Sequence, residues 1–408
     1  MSRTVRVIVL NTDEEVAADL RTVLLSVEGV KIVAEIDEPA MLTQAIEHFP
    51  AEVLLIHLDP NAAAIMDVVA PLVEARKEQI AAIAMTEDRD AELVRRAMRA
   101  GMRELLWKPF PPEQLAEILQ RLGAETRPEG ARLGKLVTVV GTGGGHGATQ
   151  LTTNLAVELA NLDTANGSGK PRVATVDLDF RFGQVAMQLD AAPTYTVADL
   201  CESLERVEPQ MLERVVFKHQ TGVHVLARPA ELDQAERISA AHCAAILSSL
   251  QEQYDFVVID LPARFDPTAR VVLDAADYFL LVTQLQVPSV RCADRILKQL
   301  TNSGYPMQRV RLVCNRFGRD SGYLEQADVE QTLHRKFDAL IPDDWKTSST
   351  AVNMGAPLFT LAPKSRLRQA YQRLAQQVAG VIDSPEADAA QSSEPARKSL
   401  LKFLVGAK

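Results

Sequence analysis

Cysteine is scarce in this chain. The four that occur, Cys201, Cys243, Cys292 and Cys314, stand singly, with no C-x-x-C pair and no clustered histidines, so neither a disulfide framework nor a zinc site is expected. Long apolar runs are missing too: no stretch approaches the roughly 18 residues that a membrane-spanning helix needs. Met1-Ser-Arg leads into a strand-like pattern too short for the apolar core of a signal peptide. A cytoplasmic protein with reduced cysteines is the expectation. Positive charge is not in excess either, since 44 Lys and Arg stand against 54 Asp and Glu for a net charge of −10. That balance disfavours nucleic acid as a partner, although Arg291, Arg295, Lys298, Arg309 and Arg311 form a local basic group that an acidic average can hide.

What is present suits two soluble domains. A chain of 408 residues with 47% hydrophobic and 24% charged side chains exceeds one ordinary core. No internal repeat is found. The stretch Gly123 to Gly134 lacks periodicity and is rich in Gly, Pro and charge, which marks a linker. It separates a domain over 1–122 from one over 135–382, leaving 383–408 as a tail.

In the second domain, the strand pattern Leu136 to Val140 runs into Gly141-Thr-Gly-Gly-Gly-His-Gly-Ala-Thr-Gln150 and then into the helical run Leu151 to Leu162. Glycines let successive N–H groups curl around an anion, and the helix that follows points its positive dipole end at it. The pattern G-x-x-x-x-G-K-[ST] fails twice, with Thr142 in place of the first glycine and Ala148 in place of the lysine, while Thr149 keeps the hydroxyl that would touch Mg²⁺. Downstream, the strand Val173 to Val176 ends in Asp177-Leu-Asp179, putting two carboxylates where α/β sheets bind ligands. The strand Tyr254 to Ile259 ends in Asp260, the form of a Walker B element that holds Mg²⁺ directly or through water. Each could be a cap or a turn residue alone; together, in this order, they predict a nucleotide site.

On these motifs, residues 135 to 383 resemble the deviant-Walker ATPases of the MinD/ParA group. The resemblance implies ATP and Mg²⁺ as cofactors. It makes Asp177 the metal-side aspartate of switch I and Asp179 the one that orients attacking water. Thr149, Asp177 and Asp260 become the metal-site residues, and Gly143, Gly144, Gly145, His146, Gly147, Ala148, Thr149 and Gln150 the phosphate loop. Asn315 and Arg316, in Leu312-Val-Cys-Asn-Arg-Phe317, resemble the segment that reads the adenine. The group's second, signature lysine, which reaches across a dimer, maps to Gly143. With Gly143 and Ala148 in the two lysine positions, binding without efficient hydrolysis is expected. Arg264 or Arg181 could replace the lost charge, or be ordinary surface ion-pair residues. His146 would be neutral near pH 7 and add little.

The N-terminal region alternates apolar strands, Val5 to Leu10, Val53 to Leu58 and Ile80 to Met85, with amphipathic segments around Glu15 to Leu25, Leu42 to His48 and Leu93 to Arg99, which argues for a parallel sheet wrapped by helices. Ala100 to Phe110, with Lys108-Pro109, resembles the last strand and lysine-proline turn of a receiver domain, and Thr86 its switch hydroxyl. The fold class is therefore α/β, two doubly wound parallel-sheet domains, receiver-like then MinD/ParA-like. The phosphorylation chemistry looks dismantled. His57 stands at the third-strand position of the phosphoacceptor, and Asn11 and Thr12 align with the acidic pair, with Asp13 and Asp59 nearby but out of register. His57 reads as a packed or hydrogen-bonded side chain rather than a phosphoacceptor, and docking or dimerisation is the expected role.

A degenerate receiver joined to a lysine-less MinD/ParA domain resembles the TadZ/CpaE family of Tad (Flp) pilus assembly proteins. This implies a homodimeric, ATP-binding scaffold that partners pilus and secretion machinery at the inner face of the membrane or the cell pole. The alternative is an active ParA/MinD-like ATPase that positions cargo on nucleoid DNA or membrane. A third reading, a phosphorylation-controlled regulator with an ATPase output, is disfavoured by His57, Asn11 and Thr12. The tail supports a membrane-side location. After an acidic, Ser- and Ala-rich spacer over 383–396, residues 397–408 carry four basic side chains and an apolar cluster, Leu400, Leu401, Phe403, Leu404 and Val405. Such a segment suits an anionic membrane interface or a partner protein, and two copies in a dimer would add avidity.

Overall fold

The structure is a computed structural model that describes residues 5–381 except 28, 50, 127–132, 164–168, 202–206, 208 and 319–323. The tail segments 383–396 and 397–408 and half of the predicted linker, residues 127–132, lie outside the described residues. The first domain runs β1 (Val5–Leu10), α1 (Glu14–Ser26), β2 (Val30–Ile36), α2 (Leu42–His48), β3 (Val53–His57), α3 (Ala62–Arg76), β4 (Ala81–Thr86), α4 (Ala91–Arg99), β5 (Glu104–Trp107) and α5 (Pro112–Thr126). Its five strands are all parallel in the order β2-β1-β3-β4-β5. Every residue of β1, β3 and β4 is buried, as a sheet covered by helices on both faces requires, and this is why their sequences read as unbroken apolar runs. One apolar cluster lies on each face.

The helix α5 continues three residues past Gly123, to Thr126, so the sequence-based linker begins inside it. Glycine at 123 serves close packing rather than flexibility, since a Cβ there would lie 2.5 Å from a Val5 methyl. At the far end of the same segment, a Cβ on Gly134 would come within 1.8 Å of the Tyr254 carbonyl oxygen.

The second domain follows as β6 (Lys135–Gly141), α6 (Ala148–Ala160), β7 (Val173–Asp177), α7 (Val197–Cys201), α8 (Pro209–Val215), β8 (Phe217–Lys218) and β9 (Val223–Leu226). It continues with α9 (Ala240–Gln253), β10 (Phe256–Asp260), α10 (Pro267–Ala275), β11 (Tyr278–Thr283), α11 (Val287–Asn302), β12 (Val310–Phe317) and α12 (Gln326–Leu333). It closes with β13 (Ala339–Pro342), α13 (Trp345–Met354), α14 (Leu358–Leu361) and α15 (Arg366–Ala379). The eight-stranded sheet has the order β13-β12-β11-β6-β10-β7-β9-β8, parallel apart from the antiparallel β8–β9 edge. The strand β6 sits between β11 and β10, so the glycine-rich loop emerges at the C-terminal edge beside the ends of β10 and β7.

The two domains pack through charged side chains taken out of water. Arg6 of β1 is held by Glu52 within its own domain and reaches Ser248 Oγ (2.9 Å) and Glu252 (3.1 Å) of α9. Arg21 of α1 pairs with Asp274 of α10 and with Glu35 of β2, which also accepts from Arg270. Buried Lys31 of β2 donates to Asp277 (2.9 Å), and Arg309 donates to the Val30 carbonyl.

Candidate functional site

The loop between β6 and α6 has the geometry of a phosphate cradle. Gly145 and Gly147 take positive φ angles of 75° and 90°. No side chain caps α6 at Gly147, so the N–H groups of its first turn are left for an external acceptor. A Cβ on Gly144 or Gly145 would meet nothing within 4 Å, which leaves the tip of the loop open. Thr142, one of the two departures from the strict motif, is buried, and its hydroxyl lies 2.7 Å from Ser289 Oγ and 3.2 Å from the Val282 carbonyl. It ties the loop to β11 and α11.

The missing lysines are structurally distinct. At Gly143 a Cβ would lie 2.6 Å from Cε1 of His146, so the imidazole occupies the space where a side chain at 143 would start. Burial and the nearby Arg316 guanidinium lower the His146 pKa, which keeps the ring neutral at pH 7. Ala148 opens the helix. Asn315 Nδ2 donates to the His146 carbonyl (2.8 Å), and Arg316, whose φ is 53°, donates to the Gly145 carbonyl (3.1 Å). These two residues therefore brace the loop from β12. Gln150 bonds Ser348 of α13 through both its amide atoms.

Asp177 and Asp260 end neighbouring strands in register and are buried to 1% and 5% exposure. Burial and the neighbouring Asp260 charge push the Asp177 carboxyl up to about 8; burial pushes Asp260 up to about 6. Asp177 accepts from the Val185 and Asp179 N–H groups, and a Cβ on Gly183 would overlap its carboxylate at 2.0 Å, so the turn closes over it only with glycine there. Thr149 Oγ1 donates to Asp260 (2.6 Å). A hydroxyl against a buried carboxylate, with a second carboxylate beside it and no compensating cation among the described residues, is a donor set that suits Mg²⁺. No group of three or more His, Cys, Asp or Glu side chains forms a metal cage among the described residues. Asp179 stands in the next turn, 3.5 Å from Arg264. Arg181 lies 3.9 Å from Glu236, so both candidate replacement cations have acidic partners. The basic group is dispersed as well: Lys298 pairs with Asp294 and Arg311 with Asp338, while Arg309 is spent between the domains.

At the C-terminal edge of the first sheet the structure gathers Asn11, His57, Thr86 and Lys108, and adds a residue the sequence reading set aside. His57 Nδ1 lies 2.6 Å from Asn11 Oδ1, which also accepts from the Asp13 N–H. An acceptor on that side places the ring proton on Nδ1, so Nε2 accepts from Lys108 Nζ (2.8 Å). Burial and Lys108 depress the His57 pKa, in agreement with a neutral ring. Asp13 caps α1 through the Glu15 N–H, and Thr12 lies in the β1–α1 turn. The added residue is Asp59. Its carboxylate accepts from Thr86 Oγ1 (2.8 Å), the Glu87 N–H (3.0 Å) and Lys108 Nζ (2.9 Å). Its position two residues after the strand end was the only signal, and strand register alone does not reveal where a loop side chain folds back.

Fold and site together define a P-loop nucleotide-binding class, with a glycine-rich loop, a hydroxyl at the helix start and two strand-end carboxylates, preceded by a second α/β domain. Residues 134–305 match the family described as an AAA domain. The septum site-determining protein MinD of Thermotoga maritima is 27% identical over 253 residues, 61% of this chain and 89% of that protein. MinD of Bacillus subtilis is 26% identical over 253 residues, 61% and 90% respectively. Among solved structures, a ParA family ATPase from Chlorobium tepidum superposes with a TM-score of 0.54 at 23% identity, covering 59% of this chain and 98% of that one. MinD from Pyrococcus horikoshii, complexed with Mg-ADP, gives 0.52 at 21% identity, covering 61% and 98%. The second domain is similar in sequence to MinD proteins and shares the fold of MinD and ParA ATPases.

Proposed function

We propose that this protein is a nucleotide-gated scaffold: it binds Mg-ATP, dimerises, and hydrolyses ATP slowly or not at all. The observation that carries the reading is a phosphate loop intact in its backbone whose two lysine positions are Gly143 and Ala148, the first of them filled by a neutral His146 ring. Loop N–H groups from 143 to 150 would hold the phosphates, Asn315 and Arg316 would shape the base side, and Thr149, Asp260 and Asp177 would hold Mg²⁺. The metal would neutralise phosphate charge there. A cationic finger contributes about 10³ to 10⁵ in rate in related phosphoryl transfers, and glycine and alanine supply none of it. The binding of Mg-ADP by the Pyrococcus horikoshii relative supports the ligand.

The cellular role we propose is placement of Tad (Flp) pilus assembly components at the inner face of the membrane, with the first domain docking protein partners. This rests on the resemblance to TadZ/CpaE proteins. Calorimetric titration of Mg-ATP, with mass by light scattering and phosphate release on the same sample, tests the biochemical core of the reading. Binding that converts monomer to dimer with negligible phosphate release is the expected result. Rapid turnover would replace the scaffold with an active positioning ATPase, and absence of binding would remove the nucleotide altogether.

A further inference from the structure

We propose that the C-terminal edge of the first sheet is an oxyanion-binding site whose resident ligand is the chain's own Asp59 carboxylate. Three donors of different chemistry converge there from two strand ends. Thr86, fully buried at the end of β4, offers its hydroxyl; the next residue, Glu87, offers its N–H; and Lys108, just past β5 and 17% exposed in its side chain, offers an ammonium. An ammonium, a hydroxyl and a backbone N–H aimed at one point form a receptor for a carboxylate or phosphate oxygen. Asp59 comes from the loop after β3, and both its oxygens are used: Oδ1 by Thr86, Oδ2 by Glu87 and Lys108.

The surroundings show that Asp59 supplies the charge balance. The remaining partners of Lys108 are the neutral His57 Nε2 at 2.8 Å and the Glu87 carboxylate at 3.3 Å, whose side chain is 73% exposed. Without Asp59 a partly buried ammonium would face only a lone pair and a screened surface charge. Asn11 fixes the tautomer that lets His57 accept, so the imidazole belongs to the cradle wall and both of its nitrogens are engaged. Asp59 therefore staples the ends of β3, β4 and β5 into one arrangement. A tethered carboxylate has a far higher effective concentration than any diffusible anion, so the site is closed to external phosphate or carboxylate while Asp59 is present. This inference is independent of nucleotide binding by the second domain.

The test uses the full chain. Trp107 precedes Lys108, and the only other tryptophan is Trp345, so a Trp345→Phe background makes Trp107 fluorescence a local reporter of thermal unfolding. Asp59→Ala should lower the midpoint by roughly 5–10 °C. Acetate or inorganic phosphate should recover it saturably, whereas chloride at matched ionic strength should not. The wild-type midpoint should not respond to acetate, and adding Lys108→Met to Asp59→Ala should abolish the rescue. An unchanged midpoint in Asp59→Ala, a response to chloride equal to that for acetate, or saturable stabilisation of the wild type by acetate would each overturn the proposal. If Asp59→Ala does not fold, Asp59→Asn decides, because its amide still fills the space without the charge. A lowered midpoint supports a resident anion, and a wild-type midpoint refutes it.

Discussion

Asp177 is a carboxyl group whose burial beside Asp260 favours its neutral form. Its folded pKa, about 8, lies above the ordinary carboxylate range. Ionising it therefore costs folding free energy, and that cost grows as pH climbs from about 4 towards 8. Without Mg²⁺, the midpoint of the second domain should fall over that window. Asp177→Asn should flatten the dependence and stabilise the protein at pH 8 by several degrees, and calorimetric scans at pH 6 and pH 8 with and without Mg²⁺ would measure it. Adding Mg²⁺ should help wild type most at the higher pH and Asp177→Asn little. The two lysine positions should also behave differently. Ala148→Lys should tighten Mg-ATP binding on the order of tenfold, the value of one charge-assisted contact. Gly143→Lys should do so only together with His146→Gly, because the imidazole stands 2.6 Å from the new Cβ. Equal affinities for Gly143→Lys with and without that second change would refute the steric account.

At the scale of elements, the helix α10 links the two halves. It starts seven residues after Asp260 and carries Arg270 and Asp274 to the first domain, where they meet Glu35 and Arg21. Breaking such a buried pair by removing one partner costs about 3–5 kcal/mol, so Asp274→Ala should destabilise strongly. Replacing Arg21 and Asp274 together by leucine and alanine should cost less than the single change. A double-mutant cycle by denaturant unfolding checks this, and additive costs would show that the pair does not couple. The same interface explains an element that sequence reading passed over. In β2, Val-Lys-Ile-Val-Ala-Glu-Ile, lysine and glutamate interrupt the apolar pattern, and only the neighbouring domain's Asp277 makes Lys31 a buried residue. Burial lowers its pKa while Asp277 opposes that shift.

For the whole molecule, domain order and tail suggest a test of location. If residues 397–408 meet lipid, the full chain should co-sediment with anionic vesicles more strongly in Mg-ATP than without nucleotide, and a chain ending at 396 should stay in the supernatant. Among the described residues no helix is long and apolar enough to cross a membrane. The sequence alone determined the two parallel-sheet domains and the glycine-rich loop between β6 and α6. It also determined the carboxylates at the strand ends, because doubly buried strands must be continuous runs of apolar residues and a phosphate cradle needs glycine at fixed positions. Tertiary structure decided what depends on distant segments meeting: that Asn315 and Arg316 brace the loop, that Lys31 and Arg21 are interior, and that Asp59 folds back onto Thr86 and Lys108. Charge pairs and loop side chains carry no periodic signal along the chain; their partners lie 14 to 253 residues away, and proximity exists only once the sheets have formed.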